Sequence, residues 1–184
     1  CYLMGSGIAS DLAAPVMAFL RSSAAATIPD IQMLMIAAPM TAGPYLRPFV
    51  APYADGFATR VAVLRPESRG SVTLASADPR LAPRIVQNFL ATDTDRRTLR
   101  AGLRLAREVG QQPALRPFVE AEAAPGPDGW SDAALDDHIA RTGISVHHPM
   151  GTCRMGGDDT DGGAVVDAAL RVRGTEALRV VDAS

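Results

Sequence analysis

The stretch Ser145 to Gly157, SVHHPMGTCRMGG, gathers two of the three histidines of the chain and one of its two cysteines. Imidazole and thiolate are the side chains that hold zinc or move protons near neutral pH, so three chemistries come into question. The first is a metal site. Adjacent residues on an extended segment point to opposite faces, so His147 and His148 cannot readily aim at one ion, and no C-x-x-C or H-x3-H completes a ligand set. No metal is expected. The second is a nucleophilic Cys153, but nothing in the neighbouring residues marks an activated thiol, and a structural cysteine is the simpler reading. The third is a histidine acting as acid or base. Pro149 biases His148 toward extended geometry just ahead of a glycine turn at Gly151, an arrangement suited to presenting one imidazole. Against it stands the ordinary histidine that only satisfies hydrogen bonds.

The elements that must position this cluster are read from patterning. Asp11 is suited to N-capping a helix through LAAPVMAFLRS, and PDIQMLMIAAP is a short apolar run between prolines, expected to be a buried strand. FATRVAVLRPESRGSVTLAS suggests two strands forming an antiparallel pair around PESRG, with Val61 and Val63 on one face and Val72 and Leu74 on another. A helix is expected from Asp93 or Asp95, with Leu99, Leu103 and Ala106 inward and Arg96, Arg100, Arg104 and Arg107 forming a solvated stripe. Ser131 suits the N-cap of a second helix, Trp130 and Leu135 have the spacing of a hydrophobic staple, and Gly143 is placed to end that helix in a left-handed conformation. The histidine cluster follows at once. GGDDTDGG then reads as a loop, and AVVDAALRVRG and ALRVVDAS as short β segments around a turn.

An apolar fraction of 47% and a charged fraction of 21% predict a folded globular body. Every one of the 18 basic residues is arginine, yet they are scattered and the net charge is −2, so the clustered positive surface required for binding a phosphate backbone is missing and no nucleic-acid partner is expected. Two isolated cysteines fit a reducing compartment such as the cytoplasm. The run Ile31 to Met40 is about half the roughly 20 residues that span a bilayer, so no membrane segment is expected. GSGIAS, with Asp30 downstream, imitates a dinucleotide-binding turn. However, Ser10 takes the third glycine position and Asp30 follows Pro29 instead of ending an apolar strand, so a flexible lead-in is the preferred reading. A start at Cys1 and a stop at Ser184 directly after a strand-like run suggest a fragment of a longer protein.

HHPMGTCRMG, followed by AVVDAALRVRG and LRVVDAS, resembles the C-terminal signature of glucose-methanol-choline (GMC) oxidoreductases, especially choline dehydrogenase-like members. LRPESRGSVTLASADPRLAPRIVQNFL and FLRS with PDIQ resemble substrate-domain segments of the same family, in the same order. The resemblance implies an α+β fold: an antiparallel sheet with helices, belonging to a substrate-binding domain over residues 1–144, and a return into an FAD-binding α/β domain over residues 145–184. It further implies FAD as cofactor, a small-molecule alcohol as substrate and hydride transfer to the flavin. His148 matches the active-site histidine that handles the hydroxyl proton, while Asp182 and Ala183 match the segment that approaches FAD. His147 and Arg154 fall at supporting positions. Flavin-associated lyase chemistry and a non-catalytic binding or structural module are the alternatives. The resemblance leaves the alcohol and the electron acceptor, oxygen or a carrier, open. The Gly-rich FAD fingerprint and second catalytic residue of the family have no counterpart here, so the chain alone is not expected to turn over.

Overall fold

The computed structural model describes residue 14 and residues 16–43, 48–51, 53–157 and 163–184. Asp11 and the GSGIAS stretch lie outside the described residues. The chain divides into two compact units, one made of residues 1–68 and 90–142 and the other of residues 69–89 and 143–184.

The first unit is built on a three-stranded antiparallel sheet in the order β1 (Val16–Leu20), β2 (Ile31–Ile36), β3 (Ala58–Val63). Residues 16–20 are therefore strand, not the expected helix. The alternation in VMAFL serves two sheet faces, and pairing with β2 satisfies its backbone groups, which outweighs the helix propensity of Met, Ala and Leu. The register sets Leu20, Ile31 and Val63 side by side, and likewise Ala18, Met33 and Val61. This face carries the core, with Ile31 fully buried and Met33 nearly so. The loop between β1 and β2 is closed by Asp30, which accepts the Ser22 amide at 2.7 Å and the Ser22 hydroxyl at 2.6 Å. Asp30 is thus a turn residue.

Helix α1 (Asp93–Gly110) lies against this face at Gly102, where an added Cβ would stand 2.5 Å from Ile31 Cδ1 and 2.6 Å from Val61 Cγ1. Its N-cap is Thr92, whose hydroxyl accepts the Asp95 amide at 3.2 Å, and Asp93 and Asp95 complement the positive end of the helix dipole. The arginine stripe is not solvated as expected. Arg100 is buried and grips both carboxylate oxygens of Asp136 at 3.0 and 2.8 Å, Arg104 reaches Asp132 at 2.6 Å, and Arg107 reaches Glu122 at 3.0 Å while lying 4.4 Å over the Trp130 ring. Arg100, Arg104 and Arg107 thus meet carboxylates on α2 and the connecting loop, while Arg96 stays with Asp93 and the carbonyls of Leu90 and Ala91, and periodicity alone cannot reveal the long-range partners.

Helix α2 (Asp132–Thr142) begins as expected at Ser131, whose hydroxyl accepts the Ala134 amide at 3.2 Å, and it buries Leu135 and Ile139. Trp130 is held by its indole N–H, which donates to Glu122 at 3.0 Å and to the Gly126 carbonyl at 2.9 Å. Gly143 is not among the left-handed glycines, which among the described residues are Gly126, Gly151 and Gly174.

In the second unit, β4 (Ser71–Thr73) pairs antiparallel with β5 (Arg84–Val86). The expected pairing of the strands on either side of PESRG does not occur. β3 is taken by β2, and the amides of Glu67 and Ser68, which a tight hairpin turn would have used, donate instead to Asp95 at 2.8 and 2.9 Å. Gly70 lies directly against the Val86 carbonyl, where a Cβ would not fit. The segments after Gly143 form isolated bridges, Met155 with Val166, Val166 with Val172 and Arg171 with Arg179, not continuous strands. Val166, 1% exposed, is their centre. No described helix is long and apolar enough to cross a membrane.

Candidate active site

The histidine cluster sits on a turn whose geometry is set locally. Ser145 accepts the His147 amide with its hydroxyl at 3.0 Å, and His147 takes φ +61°, a left-handed conformation uncommon outside glycine. The extended backbone expected through both histidines is therefore broken at His147. The two imidazoles are separated by a bend, not by strand alternation. Gly151 follows at φ +104°, as a left-handed turn requires.

His148 is exposed, and among the described residues it forms no hydrogen bond or ion pair. Met150 beside it is 79% exposed. An imidazole without an internal partner keeps both ring nitrogens available to a substrate or cofactor.

Below the turn, a ladder of backbone bonds carries the chain toward its last residues. The Arg154 carbonyl accepts from Val165 at 2.8 Å and Val166 at 3.2 Å, and the Gly156 amide donates to Val166 at 3.0 Å. Arg173 donates its amide to Val165 at 3.0 Å and its guanidinium to the Gly156 carbonyl at 3.0 Å. Val172 then donates to Leu178 at 3.0 Å, and Val180 to Leu170 at 3.1 Å. The histidine turn and the Asp182 segment therefore rest on one backbone scaffold around Val166. No bond joins His148 to Asp182 or Ala183 among the described residues.

Two residues that sequence reading passed over hold this scaffold. Asp167 accepts the Ala169 and Arg171 amides, each at 2.9 Å, and the Arg171 guanidinium at 2.8 Å; the Arg171 amide and side chain together keep its carboxyl below the usual range despite some desolvation. An aspartate two residues before an amide it caps is an Asx-turn signal, so the sequence did carry a clue. Arg173, with its bond back to Gly156, had none.

Asp182 is exposed, and the hydroxyl and amide of Ser184 hold its carboxyl below the usual range. The backbone N–H groups of Val181, Asp182 and Ala183 donate to nothing among the described residues, and Val181 is 78% exposed. Solvent-facing amide donors beside an exposed apolar side chain can donate to the edge of a heteroaromatic ring that accepts hydrogen bonds.

A family model described as GMC oxidoreductase matches residues 66–184. The oxygen-dependent choline dehydrogenase of Pseudomonas syringae pv. syringae is 39% identical over 98% of this chain and 31% of its own length. Oxygen-dependent choline dehydrogenase 1 of Chromohalobacter salexigens is 43% identical over 71% of this chain and 23% of its own. Among solved structures, the pyridoxine 4-oxidase of Mesorbium loti superimposes with a TM-score of 0.74 at 36% identity, over 91% of this chain and 32% of that one. A formate oxidase gives 0.69 at 31% identity, over 85% and 27%. The chain spans about a third of the length of the full-coverage relatives. With the histidine turn, the Val166 scaffold and the final segment all inside the matched region, the chain belongs to the GMC oxidoreductase family.

Proposed function

We propose that this chain is the C-terminal part of an FAD-dependent oxidoreductase that oxidises a small primary or secondary alcohol, choline-like in class, in the cytoplasm. Residues 1–144 belong to its substrate-binding domain and residues 145–184 return to its flavin domain. The reading is supported by similarity to choline dehydrogenases and to a pyridoxine oxidase, whose named substrates are alcohols. The observation that carries it is His148, exposed and without a partner among the described residues, on a turn that shares one scaffold with the solvent-facing backbone donors around Asp182.

The residues present fit the border of a flavin. The N–H groups of Val181, Asp182 and Ala183 would hold the ring edge, and His148 would face the reacting carbon. When bound, FAD supplies the hydride acceptor. The task left to this chain is the proton. His148 accepts the hydroxyl hydrogen through its imidazole as the carbon–hydrogen bond breaks, and Gly151 and Pro149 hold the ring's backbone so that it need not reorganise. Met150 and Val181, both strongly exposed, would give the closed site an apolar lining that excludes water.

The test uses the full-length flavoprotein that carries this chain. Anaerobic mixing with choline and a panel of primary and secondary alcohols should bleach the flavin band in a single turnover. A flavin that stays oxidised with every alcohol, or release of cyanide from a cyanohydrin without bleaching, would overturn the reading.

A further inference from the structure

Asp95 is 1% exposed, near the start of α1, and it serves no part of the candidate active site. Its carboxylate accepts the Glu67 amide at 2.8 Å, the Ser68 amide at 2.9 Å and the Ser68 hydroxyl. The same hydroxyl oxygen accepts the amides of Ala91 at 2.8 Å and Thr92 at 3.3 Å. One donor and two acceptor sites exhaust what a serine hydroxyl has to offer.

The placement of these partners matters more than their number. Ser68 is the last residue before the chain leaves the first unit, and Leu90 is the first after it comes back. Between them lies the 69–89 segment with β4 and β5, which groups with the unit that carries His148 and Asp182. Leu90 returns in a left-handed conformation, φ +55°, which costs energy unless its surroundings enforce it. Arg96 does so from α1 by donating to the Leu90 carbonyl at 2.9 Å and to the Ala91 carbonyl at 3.3 Å. Both ends of the 69–89 segment are therefore rooted in a single network on the first turn of α1.

We propose that Asp95 and Ser68 form a clamp that fixes the two roots of the 69–89 segment, making Asp95 a positioning residue for that segment. An apolar pair at these places would fill the space but leave the four amides of Glu67, Ser68, Ala91 and Thr92 without acceptors, so the ends would fray independently. Any effect of the clamp on alcohol oxidation rests on the function proposed above; the clamp itself does not.

The experiment compares Ser68→Ala, Ser68→Thr and Asp95→Asn in the full-length flavoprotein by amide hydrogen exchange and by limited proteolysis. Ser68→Ala is expected to speed exchange at Ala91 and Thr92 and cleavage within 69–89 by about tenfold, the effect of losing a hydrogen bond to a charged group, while β2 amides keep their protection. Asp95→Asn should speed exchange at the Glu67 and Ser68 amides it accepts and, through the loosened Ser68 hydroxyl, at Ala91 and Thr92, while Ser68→Thr, which keeps the hydroxyl, should return wild-type behaviour. Unchanged exchange and cleavage in Ser68→Ala would overturn the clamp. So would equal acceleration in β2, which would make these residues ordinary contributors to global stability. Neither readout depends on turnover, so failure of the alcohol-oxidising reading would leave this result interpretable.

Discussion

A guanidinium that loses its carboxylates must find water, and Arg100, with its side chain only 10% exposed, has little within reach. Replacing it with alanine is expected to lower stability by about 1–3 kcal/mol, because Asp136 loses the charge-assisted Nη1 donor shared between its two carboxylate oxygens. Arg104→Ala, which removes an ion pair whose carboxylate is 61% exposed, should cost less than about 1 kcal/mol. Urea titration of both variants checks the ranking. The four arginines look alike in sequence, and only the fold separates them: Arg100 and Arg104 find carboxylates some thirty positions away on α2, Arg107 finds Glu122 in the connecting loop, and Arg96 stays with Asp93 and the carbonyls of Leu90 and Ala91. The turn after His148 was easier to read, for Gly151 is left-handed as expected. Proline after the histidine and glycine at 151 are local signals, and local signals are what a sequence displays. The left-handed turn at His147 was not legible, because even histidine, which takes positive φ more often than most residues, does so in only a small minority of cases.

At the scale of elements, α1 meets the sheet through a missing side chain. Gly102→Ala should be destabilising by about 1–3 kcal/mol despite the better helix propensity of alanine, since its methyl group would collide with Ile31 and Val61. A raised rather than lowered melting temperature would contradict this packing. The first turn of the same helix gives a pH dependence. Burial of Asp95 pushes its carboxyl pKa up, but the Ser68 hydroxyl, the Glu67 and Ser68 amides and Thr92 outweigh it and leave the pKa below the ordinary value. A depressed folded pKa means that stabilisation is full above the unfolded-state pKa of about 3.9 and is lost as pH falls through the lower folded value. Acid unfolding below about pH 4 should therefore flatten in Asp95→Asn relative to wild type. Element types were legible where local signals were clear, as at the Ser131 cap and in the short apolar run IQMLMI between prolines. They failed where pairing is non-local: VMAFL became a strand because β2 was beside it, and SVT paired not with β3 across PESRG but with RIV, whose backbone Gly70 lets come close.

For the whole molecule, the two compact units make a separable prediction. Val166 is the buried centre of the second, so Val166→Ala should lower its stability by about 1–3 kcal/mol and speed amide exchange across residues 165–173, while β2 and α1 remain protected. Family membership was readable from the sequence because HHPMGTCRMG, AVVDAALRVRG and LRVVDAS stand as contiguous blocks in one order, all within the matched residues 66–184. The division into units was not, since residues 69–89 group with a segment that begins at Gly143, far along the chain. The central claim concerns one imidazole, and it is tested most directly by anaerobic flavin reduction in the full-length flavoprotein carrying His148→Ala. With flavin content and affinity for a non-reacting substrate analogue unchanged, the rate at saturating alcohol should fall by about 10²- to 10⁴-fold, the worth of a positioned general base. A variant that reduces its flavin as fast as wild type would contradict the assignment of the proton to His148.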